Sequence, residues 1–161
     1  MKIYTQVLDI LTKIIEFIII ILMGLDVVVM LIQVVGRELG NAPAWTEELA
    51  RYLMIWIGML GAAVLVRSKK HIYIEILVDR IKHPAFKKFF STLTHISIIV
   101  VGVILVNYGG YVTKQNMGQI SPALRIAFSW VYLSMPLSGA LMILYSIEQL
   151  QSQQRGESKC H

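Results

Sequence analysis

Apolar residues dominate four stretches of the chain, Ile14 to Val35, Tyr52 to Val66, Phe89 to Thr113 and Ile126 to Ile147. A hydrocarbon layer about 30 Å thick takes about 20 helical residues to cross, at ~1.5 Å each. The first, third and fourth stretches reach that length. The second covers only roughly 22 Å, so its polar first turns must lie at the interface or against protein. The pattern predicts an all-α integral membrane protein whose four transmembrane helices lie at about 14–36, 44–66, 86–114 and 126–148. Residues 1–150 then form a single transmembrane domain, and 151–161 a polar tail that frays.

Between the second and third spans, His71 to Lys82 is too short to cross. Ile74, Leu77, Val78 and Ile81 follow helical spacing, while His71, Glu75, Asp79 and Lys82 share another face. This predicts a short amphipathic helix in the interface plane, carrying His71, Tyr73, Glu75 and Asp79. The run HIYIEI also alternates at strand period, but an open strand edge is disfavoured beside lipid.

The turn between the first two spans concentrates charge. Gly36 and Arg37 close the first span, Asn41 is placed to cap the next helix, and Pro43 suits its first turn. Glu47 and Glu48 then sit near the positive end of the helix dipole. Arg51, four residues after Glu47, can pair with it along one face. Further on, Gly58, Gly61, Ala62 and Ala63 offer a small-residue face for close helix approach. Pro136 inside the fourth run predicts a kink.

Composition agrees with the pattern. Of 161 residues, 56% are hydrophobic and 16% charged, and the mean hydropathy is +0.64. A soluble domain would be nearer 25% charged. The net charge of +5 resolves into a topology signal: the N-terminus, the second connection and the tail hold eleven of the 15 Lys and Arg residues. The first and third connections, with their helix ends, hold Arg37, Arg51, Lys114 and Arg125. Positive residues favour the inner side, so both termini are expected in the cytoplasm. The basic cluster Arg67–His71 fits topology and anionic lipid, and no nucleic-acid partner is expected. A single cysteine, Cys160, excludes an intrachain disulfide and a cysteine metal site. No Ala-x-Ala-like site follows the first run, which is read as a retained span.

Asp26 is the formal charge deepest in the first span. It is either an ion or proton site or a carboxyl hydrogen-bonded to a neighbouring helix. A cation site gathers several oxygen ligands, and no second deep acid accompanies it, which favours the structural role. Arg37, Glu47, Glu48 and Arg51 would hold an anion or lock helices and dock a partner. Their balanced charges favour docking or a structural ion-pair network over an anion site. Among the histidines only His95 lies in a span, whereas a membrane haem wants two facing ligands. Trp45, Trp56 and Trp130 suit interface and packing positions. No phosphate loop, Ser/His/Asp constellation or HExxH motif is present. Neither an enzyme nor a cofactor or metal is expected.

The combination Arg37, Asn41, Pro43, Trp45, Glu47, Glu48 and Arg51 resembles the small membrane subunit (Q, or DctQ-type) of tripartite ATP-independent periplasmic (TRAP) transporters. The likeness continues through Trp56, Gly61, Ala62, Arg67 and the run from His71 to Glu75. It reaches Ser121, Pro122, Leu124, Trp130, Tyr132 and Pro136. It covers nearly the whole chain in order and spacing. Departures are Gly36 and Glu38 around Arg37, Glu75 where Asp is frequent, and Arg125 in place of a small residue. The resemblance implies a bacterial inner-membrane subunit that braces a large multi-spanning subunit carrying the sodium and substrate sites. It also implies a periplasmic binding protein that delivers an organic acid such as sialic acid, a C4-dicarboxylate or a sugar acid. Arg37, Trp45, Glu47, Glu48, Arg51, Trp56, Gly61 and Arg125 are then the residues expected at subunit contacts or in structural roles. The rival reading is a self-contained homo-oligomeric transporter or channel using Asp26. A third is an electron carrier or enzyme holding a cofactor at His95.

Overall fold

A computed structural model describes residues 2–41, 43–67 and 84–157. The helices are α1 (Lys2–Glu38), α2 (Ala44–Arg67), α3 (Pro84–Gln115), a short α4 (Ser129–Tyr132) and α5 (Ser134–Glu157). Among the described residues, four stretches are long and apolar enough to cross a membrane: Tyr4–Glu38, Ala44–Arg67, Thr92–Gln115 and Ser129–Leu150. The only β feature among them is an isolated bridge between Ile120 and Ala127. The fold is therefore all-α. The interfacial helix predicted around His71, Tyr73, Glu75 and Asp79 lies outside the described residues.

The end of α1 is set by Gly40, whose φ of 72° suits glycine. Gly40 N–H donates to Arg37 O at 3.1 Å and Asn41 N–H to Gly36 O at 2.8 Å. These two bonds satisfy the last carbonyls of α1 in a Schellman arrangement. Asn41 thus acts through its backbone on α1, and no side-chain cap from it to α2 is present among the described residues. At the start of α2, Thr46 is fully buried and its hydroxyl donates to Pro43 O at 2.7 Å.

The expected kink of the last span is displaced from Pro136. The helix is interrupted at Leu133, between α4 and α5. A proline ring clashes with the carbonyl four residues earlier, here that of Tyr132, and its missing N–H leaves that carbonyl without its helical donor. The break therefore falls a turn ahead of the proline that causes it.

Helix packing follows a row, α1–α2–α5–α3, in which α3 meets the others mainly through α5. The α3–α5 seam is the tightest. A Cβ on Gly139 would come within 2.8 Å of both Gly102 O and Leu105 Cβ, and one on Gly109 within 2.8 Å of Met135 Cβ. Close approach is thus supplied by Gly102, Gly109 and Gly139. The small-residue face expected on α2 is only partly used: Ala63 is fully buried, whereas Gly58 and Gly61 have open space around them.

The core is uneven along the row. Towards the chain termini, Leu8, Ile15, Leu60, Ala63, Leu141 and Tyr145 unite α1, α2 and α5, with Ile98 of α3 packed against them. Towards the Gly36–Ala44 turn, the second cluster is Val29, Ala50 and Leu53, joined by Leu22, Leu49 and Ile57. That cluster draws on α1 and α2 alone. Only 6% of the most apolar window of α1 is buried, against 39% for α2 and 44% for the last span.

Candidate functional site

Two polar clusters stand at opposite ends of the row. At the turn end, Glu48 projects from the second turn of α2 towards the connection between α3 and α4. Its Oε2 accepts the backbone N–H of Ala123 at 3.0 Å and of Leu124 at 3.1 Å. Its Oε1 accepts the Tyr52 hydroxyl at 2.5 Å. Ser121, only 1% exposed, lies beside this carboxylate. The Ser121 Oγ accepts Leu124 N–H at 3.2 Å, and its carbonyl accepts Arg125 N–H at 3.1 Å. Consecutive N–H groups converging on a carboxylate form an anion cradle, here filled from within the chain.

Arg125 closes that turn with φ of 55°, a left-handed conformation uncommon for a non-glycine residue. Its side chain is exposed. Tyr52 meets Phe128 edge to face, with centroids 6.0 Å apart and planes at 72°. A groove of ≈ 570 Å³ opens beside these groups, with Ile55, Phe128 and Tyr132 in its wall and Glu47 and Arg51 among its charged lining.

The charged turn is therefore not a four-membered ion-pair network. Glu47 and Arg51 pair at 3.0 Å, as their spacing predicts, with side chains 67% and 66% exposed. Such a pair contributes little to stability. Glu48 serves the loop instead, and Arg37 has no ion pair among the described residues. Trp45 is exposed, while Trp56 packs against the larger core cluster.

The second cluster surrounds Arg67, to which the sequence reading assigns only a topological part. Arg67 Nη2 lies 2.7 Å from Asp9 Oδ1 and 3.5 Å from Glu148 Oε1. Its Nη1 donates to Thr12 Oγ1 at 2.5 Å, and its guanidinium sits over the Tyr145 ring, 5.3 Å from the centroid. The Thr12 hydroxyl donates to Leu8 O at 2.8 Å, so Tyr145 OH, 3.0 Å away, is the donor to Thr12. Gln149 adds a second tie. Its Nε2 donates to Val66 O at 2.6 Å, capping α2, and its Oε1 faces His95 Nε2 at 2.7 Å. With Oε1 as acceptor, His95 Nε2 must carry a hydrogen. His95 is thus engaged in packing α3 against α5. The cluster links all four long helices. Its one legible signal is the placement of Asp9, Arg67 and Glu148 at matching ends of three apolar runs.

Asp26 lies between the two clusters, on the α1 face that includes Leu22 and Val29. Its Oδ1 is buried and has no hydrogen-bond partner among the described residues. No group of three or more potential metal ligands occurs among the described residues.

Comparison with known proteins bears on this arrangement. A family model described as tripartite ATP-independent periplasmic transporters, DctQ component, matches residues 26–156. The sialic acid TRAP transporter small permease protein SiaQ of Vibrio cholerae is 28% identical over 136 residues, covering 84% of this chain and 78% of that protein. The sialic acid TRAP transporter permease protein SiaT of Haemophilus influenzae is 26% identical over 74% of this chain. The isethionate TRAP transporter permease protein DctMQ of Oleidesulfovibrio alaskensis is 30% identical, also over 74%. The matched segment spans 20% of the length of SiaT and 19% of DctMQ. With the family model matched from the middle of α1 almost to the end of α5, the chain belongs to the DctQ component family of TRAP transporters, a family of permease subunits and not of enzymes.

Proposed function

We propose that this small permease subunit braces a larger membrane subunit of a sodium-coupled uptake system, to which a periplasmic binding protein delivers an organic acid. Sialic acid, C4-dicarboxylates and isethionate are the substrates named for its relatives; all are organic acids, and sugar acids share the carboxylate of the first two. The carrying observation is that the two polar clusters are spent on holding helices and a loop in place. Glu48 holds the Ser121–Arg125 turn, and Arg67 and Gln149 hold α1, α2, α3 and α5 together. A chain whose two polar clusters are internal fasteners suits a brace better than a conduit.

The larger partner follows from relatives in which a segment like this one is about a fifth of a single permease protein. The protein is a multi-pass inner-membrane protein. The excess of Lys and Arg at the terminal end favours both termini in the cytoplasm. The turn end, with the groove, Trp45, Glu47, Arg51 and Arg125, would then face the periplasm, where the large subunit or the binding protein can reach it.

Reconstitution tests this reading. Liposomes holding the chain alone should show no sodium-driven uptake of the organic acid, and adding the large subunit and binding protein should restore it. Uptake by the chain alone would overturn the proposal. The buried Oδ1 of Asp26 keeps one rival in view, a homo-oligomeric path lined by Asp26. That path would conduct without partners and be lost in Asp26→Asn.

A further inference from the structure

The row of helices is closed at its terminal end and open at its turn end. Near the termini, α1 packs on α2 and also reaches α5, whose Tyr145 hydroxyl bonds Thr12 at 3.0 Å and whose ring shares a cluster with Leu8 and Ile15. Near the turn, the cluster that α1 joins draws, among the described residues, on α2 alone. Along this outlying half, Asp26, Gln33 and Arg37 recur at i, i+7 and i+11, which at 3.6 residues per turn puts them in one narrow stripe. Asp26 and Gln33 are half-buried and Arg37 is exposed. Asp26 Oδ1 is shut away from solvent without a partner. Among the described residues, neither Gln33 nor Arg37 has a side-chain hydrogen bond or ion pair.

Polar side chains within a span are costly to leave unsatisfied and pair with one another or with neighbouring helices. Three of them on one stripe, in the half of α1 that lacks a second neighbour, amount to half an interface. Lipid tails offer them nothing, and Gln33 cannot lie beside Asp26 because two turns separate them.

We infer that the turn-end half of α1 is the seat of a transmembrane helix of the large subunit. This inference rests on the proposed function and names the surface that function would use. The incoming helix brings a hydroxyl or amide donor to Asp26, a donor or acceptor to Gln33, and a carboxylate or carbonyl to Arg37 near the interface. It fills the position beside α1 that α5 occupies at the terminal end. Its donor must reach Asp26 from the exposed side of that carboxyl, because Oδ1 is already covered by the chain itself.

The complex of tagged chain and co-expressed large subunit provides the test. A photo-crosslinking residue at Met30, which shares the stripe, should capture the large subunit; the same residue at Val28, about 200° around the helix from Asp26, should not. Asp26→Leu should lower retention of the large subunit on detergent purification about threefold, the effect of one interhelical hydrogen bond in a membrane. It should leave the thermal stability of the chain purified alone unchanged or raised, because an apolar side chain replaces an unpartnered carboxyl. Capture of a second copy of this chain at Met30, or equal capture at both positions, overturns the seat. So does unaltered retention in Asp26→Leu. Failure of the unaltered chain to retain the large subunit at all overturns the proposed function together with the seat, and so separates the two failures.

Discussion

Glu48 and Leu124 stand 76 positions apart in sequence and 3.1 Å apart in space. The carboxylate of one helix thereby fixes the backbone of a loop that follows a different helix, and the Tyr52 hydroxyl holds that carboxylate in place. In Glu48→Ala, the Ala123 and Leu124 amides lose their acceptor. Their hydrogen exchange should quicken by on the order of tenfold, with a smaller rise in Glu48→Gln, where a neutral oxygen still accepts. Exchange of the Thr46 amide, bonded to Pro43 O, serves as the unaffected reference.

Arg67 is only 10% exposed at its side chain and touches groups on α1 and α5. Replacing it by Leu leaves Glu148, itself 14% exposed, without its cation. The expected loss is about 2–3 kcal/mol, below the upper range for buried pairs because Asp9 is largely solvated. Arg67→Lys keeps the charge but not the planar fork, and should fall between. Thermal melting of the chain in detergent measures both.

Gly139→Ala places a Cβ 2.8 Å from the Gly102 carbonyl oxygen, a backbone atom that cannot rotate away. Forcing α3 from α5 should cost about 1–3 kcal/mol. Gly61→Ala meets open space and should be neutral or stabilise the isolated chain by up to about 1 kcal/mol, the helix preference for alanine. Comparable losses for the two variants in a thermal melt would contradict the α3–α5 seam.

Arg125 holds a left-handed backbone at φ 55°. Arg125→Gly should relieve about 1 kcal/mol of that cost and raise the melting temperature, while Arg125→Val should lower it. If neither change moves the melting temperature, the turn is not held in this conformation.

How much of this was legible in sequence depends on distance along the chain. The long helices were readable because unbroken apolar runs of hydrocarbon length admit few other structures. The Glu47–Arg51 pair was readable because a helix brings i and i+4 together. The Glu48 cradle and the Arg67 cluster were not, since they join residues separated by 76 and 58 positions, and composition carries no information about such meetings. Small residues marked Gly58 and Gly61 on α2 as a contact face, yet the tight seam formed at Gly102, Gly109 and Gly139. Residue size permits close approach without saying which helix will make it. Pro136 foretold a break but not its place, because the clash acts on the turn before the ring.

A row of rods touching only along their sides has no resistance to fanning apart. Here the rods are pinned near both ends: Arg67 and Gln149 at one, Glu48 with its loop at the other. Two pins on a common plank turn a set of pivots into a truss, which resists racking in the plane of the bilayer. The unpinned member is the far half of α1, so flexing should concentrate there until something outside the chain bears against it.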